Sequence, residues 1–282
     1  MYTVQNANDA GPDSLRDGIN DPTVTSITFN PLVTSITLTS GSLLVTNRLL
    51  PLSIDGGINK VTIDGNSANG VFVVNNSTAQ LLNLIIENGD ESGIRAVIGS
   101  VLAIADSIIQ NNEGNEGGGI FVSSSTLNVS NSIIRNNSNP LLVGTNGGGV
   151  YLTGSSATIL SGTISSNTSP FIGGGIFVDI NASLTLQNSV VDNNTSASTG
   201  GGIFNQGTLI VRNSTIANNT SGSTGGGIQF NSSASGNSII NATIISYEII
   251  WGHLHSKRHK FDKHHNSGLL TSPSRSMFEH RT

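Results

Sequence analysis

The chain is poor in the residues that most enzymes use for chemistry and that many secreted domains use for stability. Its 282 residues contain no cysteine, and only 10% are charged and 5% aromatic. Disulfides therefore cannot stabilise the fold, and cysteine usage leaves the redox compartment open. No run of about 18 apolar residues occurs, so the sequence predicts no membrane-spanning helix. The opening residues, MYTVQNANDAG, contain no recognisable secretory signal.

Glycine is abundant instead, and much of it lies in a repeated unit. Five Gly-Gly-Gly triplets are each followed by Ile or Val, at spacings of 30, 26, 27 and 25 residues. The repeat residues are Gly117, Gly118, Gly119 and Ile120, Gly147 and Val150, Gly173 and Ile176, Gly200 and Ile203, and Gly225 and Ile228. A fixed period of this length is typical of a solenoid.

A second column of residues keeps the same period. Each member closes a short segment such as NSIIRNN or NSVVDNN, and the column consists of Asn88, Asn111, Asn136, Asn167, Asn193 and Asn218. Asn tolerates the left-handed backbone region and forms turns. We therefore expect these side chains to stack at a turn and to hydrogen-bond to one another.

The segments between the two columns predict the fold. They are short, rich in Thr, Val and Ile, and alternate apolar with polar residues, which is the pattern of half-buried strands. Three such strands and three turns in each period make one coil of an all-β parallel β-helix, with roughly eight coils in all. The triple glycines then lie where a neighbouring coil leaves no room for Cβ, and the following Ile or Val points inward.

Three regions are predicted along the chain. Residues 1–23 contain PDSLRDGI, in which Asp13 or Ser14 caps a short helical turn that covers the first coil. Residues 24–246 form the coils. Residues 247–282 carry all six histidines and the single tryptophan, and their net charge is +3, against −8 for residues 1–246. We expect this basic tail to be disordered or foreign to the repeat, with proteolysis removing residues after about 256.

Specific motifs also relate the sequence to a known family. The stretches TVQNANDAGPDSLRDGI, SITLTSGSLLVT and KVTIDGN, followed by GGGI units, resemble bacterial secreted or surface right-handed parallel β-helix proteins. The opening segment is similar to the motif named for Cys-Ser-Leu-Arg-Glu-Ala, with Asp13 in place of the cysteine. The GGGI units are similar to the GGAI repeats of polymorphic outer-membrane proteins. The resemblance implies an extracellular or outer-surface location.

Many parallel β-helices cleave polysaccharides, and such catalysis needs convergent charged side chains on one face. Aligned on the Asn column, the preceding outward positions are Glu87, Gln110, Arg135, Ser166, Asp192 and Ala217. The two acids in that column are four coils apart, too far for a glycosidase pair. The remaining weak candidates for catalysis are Asp55, Asp64, Glu87 and Asp106, with Asp90 and Glu91 near them. Acidic residues in turns more often serve the turn itself.

No cofactor is predicted, because the glycine triplets lack the Lys-Ser/Thr and the helix of a phosphate-binding loop. The irregularly spaced histidines of the tail are weak metal ligands, and we predict no evolved metal site at His253, His255, His259, His264 and His265. The acidic coils argue against nucleic acid as a partner.

The sequence therefore favours a non-enzymatic, monomeric surface or secreted protein. Its outward Asn, Ser and Thr rows would bind glycans or other cell-surface components, as in an adhesin or a stalk. A polysaccharide lyase or glycoside hydrolase is the first alternative. A truncated or decayed fragment is the second.

Overall fold

The chain folds into an all-β parallel solenoid, which confirms the predicted fold class. A computed structural model describes residues 1–139, 146–231 and 238–246, and the backbone of residues 249–250 and 253–254. The solenoid has about nine turns, against the roughly eight predicted. Among the described residues, no helix is long and apolar enough to cross a bilayer.

Three long sheets and one short sheet run along the solenoid. Sheet A comprises Tyr2–Val4, Ser26–Phe29, Leu52–Asp55, Thr78–Leu82, Val101–Ala105, Thr126–Ser130, Ser156–Leu160, Ser183–Gln187, Thr208–Arg212 and Ile239–Asn241. Sheet B comprises Ser35–Thr37, Val61–Asp64, Leu84–Glu87, Ile108–Gln110, Ile133–Arg135, Thr163–Ser165, Val190–Asp192, Thr215–Ala217 and Ile244–Ser246. Sheet C comprises Leu43–Thr46, Phe72–Asn75, Ile94–Val97, Ile120–Ser123, Val150–Thr153, Ile176–Val178, Ile203–Asn205 and Ile228–Phe230. Sheet D comprises Thr168–Ser169, Thr195–Ser196, Thr220–Ser221, Ile249–Ile250 and His253–Leu254.

The core is a stack of similar rungs. Each strand of the long sheets pairs in parallel with its counterpart one coil later, so inward side chains form ladders of Ile, Val and Leu. Ile120 pairs in register with Val150, and both are fully buried, as are Ile176 and Ile203. Ile228 packs against the same core but is only partly buried, because it lies in the last coil of sheet C.

The glycine triplets pass close to the neighbouring coil. The first glycine, such as Gly117 with φ +59°, adopts the left-handed conformation that favours glycine. A Cβ on the second glycine would lie 2.2 Å from the Ser138 carbonyl oxygen at Gly118, and 2.4 Å from the Thr195 carbonyl oxygen at Gly174. Neither contact is sterically possible. Only glycine at these positions therefore allows neighbouring coils to stack this closely.

From Asn83 onward, one left-handed residue makes each corner between sheets A and B. Asp106, for example, has φ +51° and Asn131 has φ +47°. The residue after it turns inward: the main-chain N–H of Ser107 donates to Oγ of Ser132 one coil later, at 3.1 Å. At this corner the next coil therefore satisfies the buried backbone N–H.

The buried Asn ladder is offset from the predicted Asn column. The ladder consists of Asn112, Asn137, Asn167, Asn194 and Asn219, all fully buried. The positions just before them are exposed, have φ between +54° and +57°, and hold Asn111, Asn136, Ser166, Asn193 and Asn218. The prediction of one stacked column was therefore wrong. In four coils an Asn-Asn pair supplies both positions, whereas Ser166-Asn167 shows which of the two is buried.

The N-terminal segment 1–23 joins the first coil of sheet A through Tyr2–Val4 and then forms the helix Leu15–Asn20. Ser14 is the N-cap, and its Oγ accepts from the Asp17 N–H at 3.2 Å, while Leu15 and Ile19 are buried. Asp13 instead adopts a left-handed turn. The helix packs against sheets A and C and covers the end of the core.

The tail predicted for residues 247–282, including its histidines and the cleavage near residue 256, lies outside the described residues. Two backbone segments are the exception. Residues 249–250 pair in parallel with Thr220–Ser221, and residues 253–254 return antiparallel to them.

Candidate functional site

The four acidic residues predicted as weak catalytic candidates do not converge on one site. Asp55 ends a strand of sheet A, and its Oδ1 accepts from Asn83 Nδ2 at 2.8 Å and from the Gly57 N–H at 2.9 Å. Asp106 occupies a corner between sheets A and B, where its carbonyl oxygen accepts from Lys60 Nζ. Both residues thus shape turns.

Asp64 and Glu87 are brought together, which the alignment of the coils by sequence had missed. They are paired neighbours on sheet B, so their backbones are about 4.8 Å apart. Asp64 Oδ1 accepts from the Asn66 N–H at 2.8 Å and from Asn88 Nδ2 at 3.1 Å. A glycoside hydrolase needs two carboxylates that flank the scissile bond, so these adjacent rungs are where the enzymatic alternative would place its pair.

The same column continues as a row of polar side chains along sheet B. This polar row contains Asp64, Glu87, Gln110, Arg135, Ser165 and Asp192. The predicted column held Ser166 instead of Ser165, because that coil was aligned on Asn167. It omitted Asp64, because Gly65 and not Asn follows that residue. Gln110 Nε2 donates to Glu87 Oε2 at 2.6 Å, and Arg135 Nη2 donates to Gln110 Oε1 at 2.8 Å. The centre of the polar row is therefore occupied by its own hydrogen bonds.

An aromatic ladder lies on the outer side of sheet C, and the sequence analysis had missed it. Phe121, Tyr151, Phe177 and Phe204 stack with ring centroids 5.6, 4.8 and 5.6 Å apart. Each ring follows the Ile or Val of a glycine unit, so the motifs GGGIF and GGGVY were the available signal. The rings are only 3–8% exposed. They pack against one another and are too buried to serve as platforms for a sugar.

Electrostatics at the ladder follow from this burial. Burial, followed by the charges of Glu116 and Asp179, raises the pKa of Tyr151 to about 12. At the first end of the ladder the Arg95 guanidinium lies 4.5 Å from the Phe121 ring centroid, a cation–π contact.

The N-terminal helix is fastened by a largely buried ion pair. Arg16 Nη2 lies 2.6 Å from Asp9 Oδ1, and Arg16 also donates to the carbonyl oxygens of Gly41 and Ser42. Burial alone would raise the pKa of Asp9, but hydrogen bonds from Arg16, Ser40 and Thr39 outweigh it and lower that pKa to about 2. Within the described parts of the chain this is the one ion pair. The DSLRDG segment thus seals the end of the solenoid.

Two shallow cavities lie away from the acidic candidates. One, of about 600 Å³, lies beside the N-terminal helix and is lined by Ile19, Pro22, Leu44, Arg48 and Leu49. The other, of about 430 Å³, lies over sheet D beside Thr168, Pro170 and Thr195. Neither contains a carboxylate, and in the described residues no cluster of three or more His, Cys, Asp or Glu could hold a metal ion.

The outer surface of sheet A contains a long stretch without charged side chains. We define the sheet A face as the outward side chains of the five strands from Thr78–Leu82 to Ser183–Gln187. No residue in those five strands is charged. The outward side chains are Thr78, Gln80, Leu82, Val101, Ala103, Ala105, Thr126, Asn128, Ser130, Ser156, Thr158, Leu160, Ser183, Thr185 and Gln187.

Most polar groups of the sheet A face have no protein partner. Thr126 Oγ1 and Ser156 Oγ are 3.5 Å apart, but in the described structure the side chains of Gln80, Asn128 and Thr158 make no hydrogen bond. All three are exposed. Their amides and hydroxyls are consequently available to a ligand, in contrast to the self-bonded centre of the polar row.

Parallel coils, aliphatic ladders and a stacked Asn corner define a parallel β-helix. The family model for the right-handed beta helix region matches residues 52–216, more than half of the chain. The chain belongs to this family. No curated protein and no solved structure gives a significant match to it.

Proposed function

We propose that the protein is a non-enzymatic scaffold that binds glycans through the sheet A face. The observation that supports this best is the set of exposed, unpartnered amides and hydroxyls held in register by the strands Thr126–Ser130 and Ser156–Leu160. Glycans are recognised by such neutral donors and acceptors. A rigid parallel sheet presents them without the entropy cost of ordering flexible loops.

We further propose an extracellular or outer-surface location, in which the solenoid acts as a stalk or an adhesive surface. The support is the resemblance of the opening segment DSLRDG to secreted and surface β-helix proteins. The rod shape is compatible with this role, since sheets that run the length of the solenoid repeat one binding surface over many coils.

A glycoside hydrolase is the second candidate, because Asp64 and Glu87 occupy neighbouring rungs. It ranks lower because Glu87 is already bonded to Gln110 and neither carboxylate lines either of the two cavities described above. An enzyme of this class needs a site that encloses the reacting sugar and excludes water.

Binding of the purified chain to an array of immobilised polysaccharides tests the proposal. We expect binding that survives the double substitution Asp64→Asn and Glu87→Gln, with no reducing ends released from the bound polymer. Release of reducing ends that disappears in the double variant would establish the hydrolase instead. Absence of binding to every glycan would refute the scaffold function.

A further inference from the structure

We propose that the ligand of the sheet A face is a neutral polysaccharide, bound in an extended conformation along the solenoid axis. This inference rests on the proposed glycan-binding function and specifies the substrate class. Charged polymers such as polyuronates are excluded from it.

The lack of charged side chains on the sheet A face favours a neutral ligand. A bound carboxylate or ammonium loses part of its hydration and needs an opposite charge or several strong hydrogen bonds in return. The sheet A face offers no charge over five consecutive strands. The nearest charges in its columns are Asp55, before the first of these strands, and Arg212, after the last.

The columns of the sheet A face run along the solenoid axis, which favours an extended ligand in that direction. The middle column of the sheet A face runs through Gln80, Ala103, Asn128, Thr158 and Thr185, one residue per coil. Strand spacing places successive members about 4.8 Å apart, so the face is about 19 Å long. A polymer that lies along this column meets a hydrogen-bonding group at most steps, and an extended glycan chain repeats on that scale.

The sheet A face combines polar and apolar side chains, which favours a ligand with both kinds of surface. Exposed apolar side chains flank the middle column, with Val101 39% and Leu160 40% exposed. Neutral sugar units present both hydroxyl groups and C–H surfaces. A mixture of amides, hydroxyls and small apolar groups matches both, whereas a highly charged polymer would leave the apolar part unused.

A pair of variants in one coil provides the test. Thr158 lies in the middle column of the sheet A face, and Thr163 faces outward on sheet B five residues later. Thr158→Asp introduces a charge into the proposed site, and Thr163→Asp introduces the same charge elsewhere. Calorimetric titration with cellohexaose, mannohexaose, hexagalacturonate and the cationic hexamer of glucosamine then compares neutral and charged ligands.

We expect the unmodified protein to bind at least one neutral hexamer and neither charged one at physiological salt. Thr158→Asp should weaken that binding at least tenfold, and Thr163→Asp should leave it unchanged. Binding of a charged hexamer alone would overturn this inference while the glycan-binding function stands. No binding of any hexamer or polymer would overturn both. Sedimentation that shows Thr158→Asp breaking a dimer would assign the face to a second copy of the chain and also overturn the inference.

Discussion

Asn167 donates its side-chain amide to Oδ1 of Asn194 at 3.0 Å, and the same nitrogen donates to the carbonyl oxygen of Ile134. The main-chain N–H of Asn167 also donates to Oδ1 of Asn194. This arrangement repeats from Asn112 to Asn219. One buried side chain per coil thus satisfies the backbone of its neighbours at a corner where the chain leaves sheet B.

Removing one member of the ladder should therefore be costly. We expect Asn194→Ala to lower the free energy of unfolding by about 2–3 kcal/mol, because it leaves buried donors of Asn167 without an acceptor. Urea unfolding followed by circular dichroism measures the change. The matched control is Asn193→Gly, at the exposed left-handed position, where we expect a change within about 0.5 kcal/mol. Equal effects of the two substitutions would contradict the register.

The glycine triplets lead to a second prediction. Gly174→Ala should destabilise by about 3 kcal/mol or more, since its Cβ would meet the carbonyl oxygens of Thr195 and Gly201 at 2.4 and 2.5 Å. Gly57 has φ +71°, but no atom lies within 4 Å of the position that its Cβ would take. Gly57→Ala should therefore cost only about 1–2 kcal/mol. Thermal unfolding of both variants separates the two causes. A benign Gly174→Ala would show that the coils are not this tightly stacked.

The period of the repeat made the fold predictable, whereas local detail was harder to predict. Strand alternation and the spacing of the glycine units indicated parallel coils and the inward position of Ile120 and its counterparts. The register at the Asn corner was not predictable from Asn-Asn pairs alone, because both members are compatible with a turn. The burial of Asn167 behind the exposed Ser166, and the pairing of Ser165 with Arg135 and Asp192, resolve it.

The candidate site was less predictable for a related reason. The column aligned by sequence began at Glu87, because Gly65 and not Asn follows Asp64, so it left out the adjacent rung. The aromatic ladder was overlooked because its rings are dispersed along the chain, one after each of the first four glycine units, and only stacking brings them together. The availability of Asn128 and Thr158 depends on which side chains bond to each other, and this requires coordinates.

The Asp9–Arg16 pair predicts an acid-dependent loss of stability. Because the folded state lowers the pKa of Asp9 to about 2 from 3.8, the pair stabilises the protein fully above about pH 4. That contribution is lost as the pH falls through about 2. Urea unfolding of the unmodified protein and of Asp9→Asn over this range should show a difference that shrinks as the pH falls. A difference independent of pH would show that Asp9 is not stabilised as a carboxylate.

The aromatic ladder predicts sensitivity to loss of a ring and to alkali. Phe177→Ala should lower the free energy of unfolding by about 3–5 kcal/mol, because it opens a cavity between Tyr151 and Phe204. Tyr151→Phe keeps the ring and should be nearly neutral at pH 7.

The raised pKa of Tyr151 predicts a loss of stability in alkali. The folded state raises this pKa from 10.0 to about 12, so the free energy of unfolding should not depend on the Tyr151 phenol below pH 10. It should fall as the pH rises from 10 towards 12.

Spectrophotometric titration at alkaline pH checks this assignment, with Tyr151→Phe as the reference. Burial and a hydrogen bond to Asp17 raise the pKa of Tyr2 to about 12 as well, so two tyrosine signals should titrate near pH 12 in the unmodified protein. The variant should lose one of them. Loss of a signal near pH 10 instead would contradict the burial of the ladder.

The location of a bound oligosaccharide tests the central claim most directly. A crystal structure of the protein with a neutral hexasaccharide should show the sugar chain lying along the solenoid axis on sheet A, with hydrogen bonds to Asn128 and Thr158. A sugar chain bound instead across Asp64 and Glu87 on sheet B would contradict the account and favour the hydrolase.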